Sequence, residues 1–99
     1  MAEAVLLEFD GVERDDYERV NKELGVDMTT GEGDWPTGLL AHAGGATDSG
    51  TLSVYEVWES RDAQATFMHD RLGAALAAAG VTARPTVTWV SLFAFQAKA

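Results

Sequence analysis

The chain has 99 residues, 46 % of them hydrophobic, with sixteen acids against seven Lys and Arg, a formal charge of −9 and no cysteine. That length is expected to make one domain, 1–99. Without cysteine there are no disulfides, thiolate metal ligands or thiol nucleophiles, and the few scattered bases build no stripe that could track phosphates, so neither nucleic acid nor an anionic membrane is an expected partner.

No apolar run approaches the roughly 20 residues of a membrane span. Met1-Ala2-Glu3-Ala4 lacks the basic start and apolar core of a secretion signal, so the cytoplasm is the expected location. The alanine, glycine and acid content fits a high-GC bacterium.

Residues 3–9 read as a first strand, with Val5, Leu7 and Phe9 on one face and Leu6 and Glu8 on the other. Asp10-Gly11 is a turn signal. Residues 13–24 read as a helix whose apolar stripe is Tyr17, Val20 and Leu24. Acids crowd its first turn, where the helix dipole favours them, and Gly25 is a stop. Residues 26–37, with Glu32, Asp34 and Trp35-Pro36, read as a long loop of the kind that is often functional.

A second strand is expected over 38–44, a turn over 44–50 and a third strand over 51–58. Ser60 is the expected cap of a second helix over 61–79, with Phe67, Leu72, Leu76 and Ala79 facing inward and Ala63 and Ala75 packing closely. Gly73 weakens that helix and Gly80 ends it. Residues 86–95 read as a fourth strand rich in Val, Thr, Trp and Phe.

The order β-α-β-β-α-β, with right-handed crossovers, predicts an α+β, ferredoxin-like fold: a four-stranded antiparallel sheet with both helices on one face. The fourth strand places Val87, Trp89, Phe93 and Phe95 on one side and Val90, Leu92 and Ala94 on the other. Two helices cover one side only. Leaving the second wet forgoes several kcal/mol at about 25 cal/mol per Å², so a homodimer packed sheet to sheet about a two-fold axis is expected.

Val57-Trp58-Glu59-Ser60 leading into Phe67 and Leu72, with Pro36-Thr37-Gly38-Leu39-Leu40-Ala41-His42 as a second anchor, resembles the dimeric α+β barrel superfamily and its antibiotic biosynthesis monooxygenase-like domains. The resemblance implies an enzyme that needs neither metal nor flavin. A small aromatic or polyketide-like substrate would sit between sheet and helices and reduce O₂ through its own anion, the protein supplying desolvation, orientation, a base and an oxyanion donor. Haem-degrading relatives carry an aromatic residue and then a histidine at spacings that fall here on Phe67 and Ala77, so haem degradation is disfavoured.

His42, near the end of the second strand, is the candidate base, since an imidazole can take a phenolic proton; a half-buried structural histidine is the alternative. Glu56 interrupts Leu52, Val54 and Trp58 on one strand face and is the candidate partner that orients His42, if the hairpin register puts the two on one face; otherwise it is an edge or rim charge. Tyr55, of opposite parity to Trp58, is the candidate oxyanion donor or a residue of the dimer seam. Trp35, Trp58, Phe67 and Trp89 are candidate substrate-binding residues, together with Tyr17 and Phe93, though aromatics at strand spacing are more often plain core.

His69 falls on the wet side of its helix. Two histidines 27 positions apart make no metal shell, and no nucleotide-binding pattern is present. The rival functions are a non-catalytic homodimeric module that binds a small molecule and a structural accessory. A pocket of roughly 300 Å³ or more beside His42 separates the first two readings from the third.

Overall fold

The structure, a computed structural model, describes residues 2–96; Met1 and 97–99 of the expected domain lie outside the described residues. The elements run β1 (Glu3–Phe9), α1 (Arg14–Leu24), β2 (Leu39–Ala46), β3 (Leu52–Trp58), α2 (Arg61–Phe67), a π-helical segment (Met68–Leu72), α3 (Gly73–Ala78) and β4 (Thr86–Ser91). The strands form one antiparallel sheet in the order β2-β3-β1-β4. This is the expected ferredoxin-like α+β arrangement.

Local chemistry explains the boundaries. Glu13 caps α1 through a reciprocal box: its side chain takes the Asp16 backbone N–H, while Asp16 takes that of Glu13 at 2.9 Å. Gly25 closes the helix in the left-handed region at φ 78°. Ser60 Oγ accepts from the Ala63 N–H at 3.1 Å and starts α2. From there the helix continues to Ala78, but not as unbroken α: the π-helical turn intervenes just ahead of Gly73.

Three boundaries differ from expectation. β2 extends to Ala46, and the turn shrinks to residues around 47–51, where Thr47 and Thr51 bond across it. Gly44 and Gly45 are thus strand residues, held by pairing to Val54 and Ser53. β4 stops at Ser91, so Phe93 and Phe95 do not continue it. Ser91, paired with Glu3, is its last laddered residue, and the Leu92 N–H reaches the Ala2 carbonyl at 3.2 Å. Phe93 is left 96 % exposed.

On the inner face of the sheet, Val5, Leu7, Phe9, Leu52, Val54 and Trp58 form the core with Val12 and Phe67. Val5 and Trp58 are fully enclosed, and each such side chain contributes about 1.5–3 kcal/mol. Tyr17, Leu24, Leu72 and Ala63 bring the helices down onto this face. The helices do not reach the outer edge, where Val87 stays half exposed.

The outer face is graded rather than uniformly apolar. One cross-strand row holds Val90, Ala4, Val57 and Ala41, the next Thr88, Leu6, Tyr55 and Ala43, and the third Thr86, Glu8, Ser53 and Gly45. Among the described residues no helix is long and apolar enough to cross a membrane.

Candidate functional site

The β2–β3 register pairs His42 directly with Glu56, and Glu56 in turn with Val5 on β1, which puts both side chains on the inner face. A bulge makes this possible. Leu39 pairs with Trp58 and Ala41 with Val57, so Leu40 is an extra residue. Three positions apart, Leu39 and His42 would otherwise point to opposite sides; here both line the same cavity.

Four side chains form a continuous hydrogen-bonded chain. Trp58 Nε1–H donates to Glu56 Oε1 at 3.1 Å, and Glu56 Oε2 lies 2.8 Å from His42 Nδ1. The indole only donates and a carboxylate only accepts, so His42 Nδ1 carries the ring hydrogen and Nε2 accepts. The group on Nε2 is the Tyr17 hydroxyl of α1, at 2.5 Å. Glu56 is 6 % exposed and sits among Val5, Val54 and Trp58, so its two partners offset a desolvation cost that an isolated carboxylate could not bear.

Burial pushes the Tyr17 phenol above its ordinary value, the Asn21 side chain one turn further on opposes that, and the Glu56 charge adds to the rise. The hydroxyl therefore stays protonated and available as a donor to Nε2.

The rest of the site is apolar and held by the 26–37 segment. Asp27 accepts from the Thr29 and Thr30 N–H groups, Val26 bridges Gly33, and Trp35 Nε1–H donates to the Gly31 carbonyl at 2.9 Å. The loop is thus a small ordered unit whose Trp35 ring lies 6.0 Å from the His42 ring. Arg71, from the π-helical segment, donates to the carbonyls of Leu24 at 2.9 Å and Asp34 at 2.6 Å. It ties the loop to the helix that carries Phe67.

A narrow, partly open cavity of about 70 Å³ runs between these parts, lined by Phe9, Trp35, Leu39, Phe67, Leu72 and the polar edge of His42, Glu56 and Arg71. It is far smaller than the roughly 300 Å³ expected of a ligand pocket. The larger space is an open groove of about 1180 Å³ between α1 and β2, which shares Tyr17, Asn21 and His42 with the cavity.

Of the residues singled out in the sequence, His42, Glu56, Tyr17, Trp35 and Phe67 meet here. Trp58 belongs through its N–H and is otherwise core. Three do not converge, Phe93 because it lies exposed beyond β4. Tyr55 pairs with Leu6 and Ala43 on the outer face, so strand alternation alone keeps it from donating into the cavity. Trp89 lies on the far side of β1, paired with Val5 under the Arg61 guanidinium at 4.9 Å, and does not line the site. His69 is exposed and bonds Asp70.

The Tyr17 hydroxyl and Arg71 went unread as site groups. A tyrosine on an apolar helix stripe does imply a polar partner for its hydroxyl, but nothing in the sequence names His42 as that partner. Arg71 carries no local signal. Among the described residues no three His, Asp or Glu side chains gather as metal ligands would.

No family model matches the chain, and no curated protein does. Solved structures do. It superposes on Rv0793 from Mycobacterium tuberculosis with a TM-score of 0.63 at 17 % identity, covering 98 % of this chain and 100 % of that one. NE2512 from Nitrosomonas europaea, a protein of unknown function, gives 0.62 at 18 % identity, covering 99 % and 93 %. A candidate antibiotic biosynthesis monooxygenase from Chloroflexus aurantiacus J-10-fl gives 0.66 at 12 % identity, covering 98 % of each chain. The chain shares the fold of these three structures. At these identities the likeness is one of architecture, and chemistry has to be argued from the site.

Proposed function

We propose that this protein is a monooxygenase-like enzyme that deprotonates a small aromatic substrate with an acidic hydroxyl, such as a hydroquinone or a phenolic polyketide fragment. The anion then reacts with O₂ without a resident metal or flavin. The observation that carries the reading is the Glu56–His42 pair: a carboxylate bonded to one ring nitrogen makes the other, which accepts from the Tyr17 hydroxyl, the basic one, next to an apolar, aromatic-lined space. His42 is the base and Glu56 holds its tautomer. Trp35 and Phe67 supply aromatic walls, and their apolar surroundings favour a desolvated phenolate that is a better electron donor.

Two further parts belong to the same proposal. Two copies pair across the outer sheet face, with Tyr55 at the seam, and the protein works in the bacterial cytoplasm.

The test is oxygen uptake in air over a panel of hydroquinones. Uptake above buffer should fall by about 10²-fold or more in His42→Gln, the usual contribution of a positioned base. Glu56→Gln should lie between that variant and the unmodified protein. No uptake above buffer, or equal uptake by His42→Gln, overturns the enzyme reading. Retention of the same phenols in equilibrium dialysis would then leave a small-molecule-binding module.

A further inference from the structure

Both ring nitrogens of the candidate base are already occupied: Nδ1 by Glu56 and Nε2 by the Tyr17 hydroxyl. A ligand hydroxyl therefore finds no free lone pair on His42. It does find one on Tyr17, because a phenolic oxygen that donates to Nε2 keeps acceptor capacity. The position of that oxygen is marked by Gly44. A Cβ added there would lie 2.5 Å from Tyr17 Oη and 2.6 Å from Cζ. Gly44 lines the groove and not the cavity. The Tyr17 hydroxyl thus sits where groove and cavity meet, with the backbone of Gly44 beside it and His42 behind it.

We propose that Tyr17 is the catalytic residue that meets the ligand, and that it relays the ligand's proton to His42 from the groove between α1 and β2. This rests on the enzyme reading above and deepens it. The ligand's O–H bond breaks and its electron pair stays on the ligand oxygen as phenolate. The proton goes to Tyr17 Oη as the Tyr17 proton passes to His42 Nε2, and the resulting imidazolium is held by the Glu56 carboxylate. Tyr17 ends as it began, a neutral phenol, and the step needs no oxidant. A ring-sized ligand enters from the groove, because the cavity that shares Tyr17 and His42 with it measures only about 70 Å³, so the substrate is a phenol that presents its hydroxyl edge-on to the α1 side of β2.

The probe is 4-nitrophenol, whose anion is coloured, bound at a pH below the probe's own pKa. The unmodified protein should develop the phenolate band on binding. Tyr17→Phe keeps the ring but removes the hydroxyl that links the bound phenolate to His42, so the band should fall about tenfold or more, the size of one hydrogen bond to a charged group. Gly44→Ala keeps the hydroxyl but pushes it off Nε2, and it should reproduce the loss. Its backbone is not in the left-handed region, so folding is spared, and unchanged circular dichroism verifies this.

A band retained at full strength in both variants means that His42 takes the proton directly; that overturns the relay while the enzyme reading stands. No band in the unmodified protein overturns the relay too, and hydroquinone uptake then shows whether the enzyme reading falls with it.

Discussion

The Tyr17–His42–Glu56–Trp58 chain is polar chemistry inside an apolar frame, and each member is there to satisfy another. Such a chain is strongly directional, since its two ends, an indole and a phenol, can each donate. Burial is the main cause of the raised Tyr17 phenol and the Glu56 charge a lesser one. The chain has two tyrosines, so in a Tyr55→Phe background the tyrosinate absorbance belongs to Tyr17 alone. Its midpoint should lie above 10.0, and adding Glu56→Gln should bring it part of the way down. A group whose value rises on folding contributes stability that is complete below the unfolded value and is lost as pH climbs through the folded one. Base-induced unfolding should therefore begin above pH 10.0, and a Tyr17 midpoint at or below that value would count against the buried hydrogen-bonded phenol.

The strands and helices are held in place by a few polar ties at their ends. Glu3 opens β1 on the inner face, where its carboxylate accepts from Arg61 of α2 at 2.8 Å and from the Ser91 hydroxyl of β4 at 3.1 Å. This one side chain joins the first strand, the last strand and the start of the second helix. The Arg61 hydrogen bond is the main reason its carboxyl lies below the ordinary 4.5; partial burial opposes this, and Ser91 and the Arg61 charge reinforce it. A lowered carboxyl contributes stability that is present above the unfolded value and is lost as pH falls through the folded one. Glu3→Gln should therefore flatten the acid limb of a urea-midpoint profile below pH 4.5 and lower the midpoint at neutral pH. An unchanged acid limb would show that the tie is not held in solution.

Arg71 plays the corresponding part for the 26–37 loop, from a π-helical turn of the kind that often marks functional positions.

The monomer buries its inner sheet face and leaves two apolar cross-strand rows outside. Val57 and Ala4 are covered, but Tyr55 and Val90 are each more than two-fifths exposed. On the proposed pairing, a second copy laid on those rows would close the layer, with the polar row of Glu8, Ser53 and Thr86 at its rim. Sedimentation equilibrium should give twice 10.6 kDa. Tyr55→Lys, which puts a charge at the centre of the face, should give the monomer mass with an unchanged fold. A monomer mass for the unmodified protein would remove the pairing.

The fold was legible because it rests on local periodicity. The alternation of Val5, Leu7 and Phe9, the helical spacing of Tyr17, Val20 and Leu24, and the Ser60 cap each declare an element within a few residues. The face shared by Glu56 and Trp58 was equally readable from parity. What periodicity cannot show is how one element sits against another. The Leu39–Ala41 bulge that lets Leu39 and His42 share a cavity leaves no mark in residue types. Nor does the end of β4 at Ser91, its last residue paired to β1. The contact of Tyr17 with His42, 25 positions apart, exists only because α1 crosses β2 at Gly44, where the absence of a side chain leaves room for the phenol. Local patterns are written in neighbours along the chain, whereas a site assembled from α1, β2 and β3 is decided by packing distances that only the closed fold supplies.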